Sequence, residues 1–202
     1  MSDFQTFAKE AEAALRDVFA PTPLQKNDHL SAMYEADIWL KREDLSPVRS
    51  YKLRGAFNAM RKLPDQKDFV CASAGNHAQG VAYMCRQFGV RGRIFMPVTT
   101  PQQKIQKTKM FGGDQVTIDL VGDYFDDCLN AAQAYFAEHA AHFLSPFDDE
   151  DVIEGQASVA VEIEEQLGRA PDQIILPVGG GGLSAGMISY FENRTQFTLV
   201  EP

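Results

Sequence analysis

The stretch DQIILPVGGGGLSAG, at Asp172–Gly186, decides the fold class of this chain of 202 residues. Its apolar part predicts a strand over Ile174–Val178, and the residues after the four glycines predict a helix over Leu183–Phe191. Amides without a neighbouring Cβ can approach an anion closely, and a helix N-terminus adds partial positive charge. The stretch therefore predicts a phosphate-binding turn, with a merely flexible turn as the alternative. No Gly-Lys-Ser/Thr follows, so the turn is not a Walker loop.

Short apolar strands alternate with helices on both sides of this stretch. The other predicted strands are Ile38–Leu40, Phe69–Ala72, Ile94–Met96, Val116–Leu120 and Phe197–Val200. An N-terminal helix is predicted from Phe4 to Val18, where apolar residues recur at helical spacing, and Ser2 with Gln5 fits a capping box at its start. The other predicted helices are one from the N-cap Ser50 to Met60, Ala78–Phe88 closed by Gly89, one from the N-cap Thr100 to Phe111, Phe125–Ala141, and Val152–Leu167 with Glu162, Glu164 and Glu165 facing outward. Strand–helix–strand repetition predicts parallel sheets with right-handed crossovers, which is an α/β fold.

The charge balance excludes several classes of partner. Lys plus Arg number 19 and Asp plus Glu number 28, which gives a formal net charge of −9. This argues against nucleic acid and against an anionic membrane surface, because both bind through Lys and Arg. No apolar run approaches the roughly 20 residues of a membrane span. The three cysteines form no C-x-x-C pair, so we expect no metal site and idle thiols in a reducing cytoplasm.

Two further motifs contain residues that could bind a ligand or act in catalysis. SAGNHAQG, at Ser73–Gly80, follows a predicted strand, and open α/β sheets bind ligands at the carboxyl ends of their strands. A carboxylate could bind its amides, although a simple helix cap explains the stretch equally well. SYKLRGA, at Ser50–Ala56, places Lys52 beside apolar Leu53. A desolvated lysine acts as a nucleophile or base, whereas the ordinary alternative is a solvated surface lysine.

The acidic loop SPFDDED, at Ser145–Asp151, is the clearest break in composition. Its carboxylates lack the spacing of an EF-hand. It is predicted to be a solvated loop that contains a helix N-cap and marks a crossing between domains.

Three motifs together resemble the threonine deaminases, also called threonine ammonia-lyases or dehydratases, among the fold type II pyridoxal-phosphate enzymes. They are the lysine motif SYKLRGA, the Asn loop SAGNHAQG and the glycine tetrad Gly179–Gly182. The resemblance also covers TPL at Thr22–Leu24, LKRED at Leu40–Asp44, PFDDEDVIEGQ at Pro146–Gln156 and VEP at Val200–Pro202. VRSYKLRGA and PFDDEDVI are most similar to the biosynthetic, isoleucine-pathway branch. Serine dehydratases and serine racemases share the three motifs and remain an alternative, as does a non-catalytic phosphate-binding fragment.

The resemblance implies a cofactor, a reaction and a set of site residues. The cofactor is pyridoxal 5'-phosphate, and the reaction converts L-threonine to 2-oxobutanoate and ammonia, with L-serine slower. Lys52 is implied as the Schiff-base lysine and the base, and Asn76 as the partner of the cofactor's ring hydroxyl. The implied phosphate ligands are the amides of Gly179, Gly180, Gly181, Gly182 and Leu183. The implied carboxylate-binding residues are Ser73, Gly75, Asn76 and His77.

The resemblance also implies two parallel-rich, three-layer α/β domains. Residues 1–49 and 146–202 belong to the large domain, which is incomplete, and residues 50–145 form the small domain. We also expect these 202 residues to lack the regulatory ACT-like domain of the biosynthetic branch. We therefore expect an N-terminal fragment that is inactive by itself, derived from a cytoplasmic homo-oligomer, either a dimer or a tetramer. In racemase-like relatives a Glu at the position of Glu201 helps to hold a divalent cation, but no metal is predicted here.

Overall fold

The computed structural model of the protein describes residues 2–201. The helices are α1 Asp3–Leu15, α2 Asp28–Tyr34, α3 Lys52–Arg61, α4 Asn76–Phe88, α5 Gln102–Gly112, α6 Phe125–Glu138, α7 Glu150–Leu167 and α8 Gly182–Phe191. The strands are β1 Leu24–Lys26, β2 Trp39–Lys41, β3 Asp68–Ala72, β4 Arg91–Met96, β5 Val116–Leu120, β6 His142–Phe143, β7 Gln173–Pro177 and β8 Gln196–Val200. Across these residues, no helix is both long enough and apolar enough to cross a bilayer.

Parallel strands dominate the sheets, which confirms the α/β prediction. Strands β5, β4, β3 and β6 form a parallel sheet in that order, and β7 pairs in parallel with β8. Strands β1 and β2 form an antiparallel pair. Of these elements, β1, β6 and α2 were not predicted. Two of them are strands of three and two residues, too short to show an alternating pattern.

Two main hydrophobic cores meet along the contact between α3 and α7. One core lies around α3, α4 and the four-stranded sheet, and it contains the fully buried Leu53 and Ile94. The other lies around α7, α8 and β7. A Cβ added to Gly155 would lie 2.5 Å from the Arg54 carbonyl oxygen and 2.8 Å from the Gly55 Cα. Glycine at position 155 therefore lets the two helix backbones approach closely.

Two predicted helix caps are wrong. Helix α3 begins at Lys52 after Tyr51, which makes no side-chain cap bond. Ser50 therefore does not cap the helix. Its amide donates to Ser46 Oγ at 2.9 Å, so Ser50 belongs to the preceding turn. Helix α5 begins at Gln102, because Pro101 is extended with ψ 135° and takes the cap position predicted for Thr100.

Two predictions about other helices also need correction. Helix α6 ends at Glu138 rather than Ala141, because His139 is extended and leads the chain into β6. Glu162 was expected to face solvent, but it is only 1% exposed. Three cations surround it, and their charges allow a carboxylate to be buried at this position.

Candidate functional site

Lys52 is the first residue of α3 and its side chain is half-buried. Its Nζ donates to the Pro146 carbonyl oxygen at 2.5 Å and lies 5.5 Å from the centre of the Tyr51 ring. No carboxylate among residues 2–201 forms an ion pair with it. Burial therefore lowers the pKa of Lys52 below that of an ordinary lysine. Lys52 is therefore a half-buried lysine without a carboxylate partner in residues 2–201, and not a solvated surface lysine.

The Asn loop, Ser73–Gly80, places the N-terminus of α4 beside the start of α3. Helix α4 begins at Asn76, whose side chain is exposed, and Gly75 is the cap residue. A Cβ added to Gly80 would lie only 2.9 Å from the Leu53 amide nitrogen. Glycine at position 80 thus brings α4 against the residue that follows Lys52. The first amides of α4 have no partner within the helix, so they can bind an anion near the lysine.

The side chain of His77 is buried and already bonded. Its Nε2 lies 3.0 Å from the Leu144 carbonyl oxygen, so this nitrogen is the one that carries the proton. Burial and the nearby charge of Lys52 lower the pKa of His77 to about 4. Together they outweigh the hydrogen bond to Leu144, which by itself would raise this pKa. The imidazole is therefore neutral at pH 7. The group of His77 that remains for a substrate carboxylate is its backbone amide in the first turn of α4.

The glycine tetrad, Gly179–Gly182, connects β7 to α8 and needs glycine for two separate reasons. Gly181 is the cap residue of α8 and has φ +88°, a conformation that side chains disfavour. A Cβ added to Gly180 would lie 2.1 Å from the Phe147 ring. A Cβ added to Gly179 or Gly181 would meet no atom within 4 Å. One side of the tetrad therefore packs against Phe147, while the other borders open space.

A loop at Leu144–Asp149, here called the connecting loop, joins all three motifs. Its Leu144 carbonyl accepts from His77, its Pro146 carbonyl accepts from Lys52, and its Phe147 packs on the tetrad. At its end, Asp149 caps α7 by accepting from the Val152 amide at 2.9 Å, as predicted for the acidic loop. The role of Phe147 was not predicted from the sequence. Its only signal was the PFDD stretch within the resemblance.

The sequence also gave no sign of a buried network of ion pairs beside Lys52. Arg54, which is fully buried, pairs with Glu162 at 2.7 Å and with Glu43 at 2.8 Å. Lys41 pairs with the other oxygen of Glu162 at 2.6 Å. Burial opposes the ionisation of Glu162, but these cations outweigh it and lower its pKa to about 2. The LKRED motif thus contributes Lys41 and Glu43 to holding α3 in place.

One cavity lies away from the predicted site residues. It is a wide, open groove of about 630 Å³ on the α6 side of the four-stranded sheet, lined by residues that include Arg93, Asp119 and Tyr135. None of the predicted site residues lines this groove or a smaller one of about 280 Å³. In the described part of the chain, no three His, Cys, Asp or Glu side chains cluster to hold a metal ion.

Comparisons with known proteins find relatives by sequence and by structure. A family model described as pyridoxal-phosphate dependent enzyme matches residues 15–202. The biosynthetic L-threonine dehydratase of Lactococcus lactis is 50% identical over 93% of this chain and 47% of its own length. The processed form of threonine deaminase isoform 2 from Solanum lycopersicum superposes with a TM-score of 0.88 at 37% identity, over 100% of this chain and 57% of the other.

Maize serine racemase superposes equally well, with a TM-score of 0.89 over 98% of this chain and 60% of the other, but at 26% identity. The chain spans about half the length of the curated relatives that it matches.

Proposed function

We propose, from the premise that this chain belongs to the pyridoxal-phosphate-dependent enzyme family, that the protein converts L-threonine to 2-oxobutanoate and ammonia in isoleucine biosynthesis. The observation that carries the proposal is the connection of Lys52, the Asn loop and the glycine tetrad through one loop. Identity of 50% to a biosynthetic threonine dehydratase supports threonine as the substrate.

The residues present fit pyridoxal phosphate. Lys52 offers an amine with a lowered pKa for the aldehyde group. The first amides of α8 lack partners within the helix, and the tetrad beside them borders open space at Gly179 and Gly181. A phosphate group is well bound at such a helix N-terminus. When bound, pyridoxal phosphate withdraws electrons from the α-carbon of the amino acid joined to it.

The chain's own residues would orient the substrate and move the proton. Lys52 Nζ accepts the α-proton, a role that suits an amine with a pKa brought closer to neutrality by burial. The amides at the start of α4, including those of Asn76 and His77, bind the substrate carboxylate, with Ser73 and Gly75 beside them. Asn76, with its exposed amide side chain, binds the cofactor's ring hydroxyl. The amides of the tetrad and of Leu183 bind the phosphate. In the net reaction the hydroxyl leaves as water, and water is taken up as ammonia is released.

The proposal also covers the class of substrate, the compartment, the assembly and the division into domains. The substrate is a small amino acid, and the protein is a cytoplasmic homo-oligomer. The division into residues 1–49 with 146–202 and residues 50–145 also belongs to the proposal. Light scattering measures the oligomeric state, and limited proteolysis at the connecting loop tests the division.

Comparing L-threonine with L-serine tests the reaction. The protein that carries this chain is expected to release 2-oxobutanoate from L-threonine faster than pyruvate from L-serine. Formation of D-serine faster than pyruvate would assign the protein to the serine racemases instead. If adding pyridoxal phosphate produces no yellow colour and borohydride fixes no label on Lys52, the protein is a phosphate-binding module and not an enzyme of this kind.

A further inference from the structure

Phe147 packs against the glycine tetrad at two points. A Cβ at Gly180 would lie 2.1 Å from Cδ1 and 2.3 Å from Cγ of its ring. A Cβ at Gly182 would lie 2.9 Å from its carbonyl oxygen. The ring and the backbone of Phe147 therefore form a surface that two of the four glycines fit closely. Any side chain at position 180 would displace one partner or the other.

The residue next to Phe147 holds the reactive amine. Pro146 accepts the hydrogen bond from Lys52 Nζ through its carbonyl. Consecutive Cα atoms in a chain are about 3.8 Å apart, so one peptide unit connects the lysine contact to the tetrad contact. The separation between the amine and the phosphate-binding turn consequently depends on these two adjacent residues.

The connecting loop is itself held at both ends. The Leu144 amide donates to the Val70 carbonyl oxygen of β3 at 2.8 Å, and Asp149 caps α7. Within the loop, the Asp148 amide donates to Ser145 Oγ at 3.0 Å. Phe147 is thus fixed by bonds on either side, so its position is set by the sheet and by α7.

We infer that Phe147 is a positioning residue that sets the distance between Lys52 and the phosphate-binding tetrad. The inference rests on the proposed function, since it concerns the same cofactor site. Phe147 acts through its packing on Gly180 and Gly182 and through its neighbour's bond to Lys52, and it takes no part in the chemistry. Its side chain matters because a smaller one would leave the tetrad free to shift away from the lysine.

A double-mutant cycle between Phe147 and Gly180 tests the inference. Phe147→Ala, Gly180→Ala and the double variant are compared with the parent by titration with pyridoxal phosphate without substrate. Gly180→Ala in the parent should weaken binding about tenfold, because its Cβ meets the ring. In the Phe147→Ala background, Gly180→Ala should change the affinity for pyridoxal phosphate little. Phe136→Ala, at an exposed phenylalanine on α6, is the matched control and should leave affinity unchanged.

The reactivity of Lys52 gives a second readout that a general loss of stability does not produce. The rate of labelling of Lys52 by an amine reagent is measured against pH by mass spectrometry. In Phe147→Ala the midpoint should move upward, toward that of an ordinary lysine, because the amine becomes more exposed. In Phe136→Ala it should stay where it is in the parent.

The outcomes separate this inference from the proposed function. If borohydride fixes the cofactor to Lys52 in the parent, yet the effects of Phe147 and Gly180 are additive and the Lys52 midpoint is unchanged, Phe147 has no positioning role. If the parent shows no label on Lys52, the proposed function itself fails. If Phe147→Ala does not fold, Phe147→Leu replaces it in the same cycle, where additivity again overturns the inference and coupling supports it.

Discussion

Helix α3 carries two cations that are two residues apart and have opposite surroundings. Arg54 is completely buried and donates to Glu43 and Glu162. Lys52 is half-buried, and its hydrogen bond goes to the Pro146 carbonyl, with no carboxylate paired to it within residues 2–201. The same helix turn thus holds one fully paired charge and one amine without a counter-charge.

The difference shows how neighbouring carboxylates set the pKa of a buried cation. Burial by itself acts to lower the pKa of both side chains. For Arg54 the carboxylates of Glu43 and Glu162 outweigh burial, so its pKa rises above the ordinary value. For Lys52 burial acts alone, and the pKa falls. Arg54 therefore stays charged and holds α3, whereas Lys52 loses its proton more readily than an ordinary lysine, as its proposed role requires.

The largest expected effect comes from removing the amine of Lys52, the proposed Schiff-base lysine. In the protein that carries this chain, Lys52→Ala should lower threonine turnover by more than about 10³-fold, because the proposed covalent anchor and base are both lost. Its stability should stay close to that of the parent, since no ion pair is broken. Keto-acid release and denaturant unfolding measure the two effects. Lys107→Ala, at an exposed lysine on α5, is the control, and an equal loss of activity there would contradict the assignment.

Removing Arg54 should, in contrast, mainly lower the stability of the fold. Arg54→Met should lower the free energy of unfolding by about 3–5 kcal/mol, because Glu162 would remain buried without its main partner. Arg91→Met removes the ion pair between Asp68 and the exposed Arg91, and it should lower the free energy of unfolding far less. Urea unfolding of both variants makes the comparison. Equal losses would show that the buried network contributes no more than a surface pair.

The buried network should also make stability depend on pH. The pKa of Glu162 is about 2 in the folded chain against an ordinary 4.5, so its contribution is present above pH 4.5 and is lost as pH falls toward 2. Over that window the parent should lose about 3 kcal/mol more than Glu162→Gln. The measurement is urea unfolding at a series of pH values. Parallel curves for the two proteins would mean that Glu162 is not held ionised by Arg54 and Lys41.

The smallest expected effect concerns the turn that lies opposite Lys52 in the proposed site. Gly181→Val should weaken the binding of pyridoxal phosphate about tenfold, because a side chain would enter the open space beside the amides and strain a φ of +88°. Gly168→Val tests strain alone, since Gly168 has φ +75° at the end of α7. Absorbance titration should show a loss of affinity only for Gly181→Val. A similar loss for both would place the phosphate elsewhere.

The sequence by itself determined the features that depend on neighbouring residues. The strand before the tetrad, the capping box of Ser2 with Gln5, and the end of α4 at Gly89 with φ +65° were all predicted and confirmed. These features follow from steric limits and hydrogen bonds within a few residues. The motifs around Lys52 and Gly179–Gly182 were likewise visible as local patterns, although their roles remain predictions.

Only the tertiary structure decided which charges are buried and what joins the motifs. Glu162 lies among outward-facing acids in the helical pattern, yet it pairs with Arg54, which is 108 residues away. The connecting loop has the composition of a solvated segment, yet Pro146 and Phe147 contact Lys52 and Gly180 from distant parts of the chain. Burying a charge or a loop depends on its partners, and those partners meet only when the chain has folded.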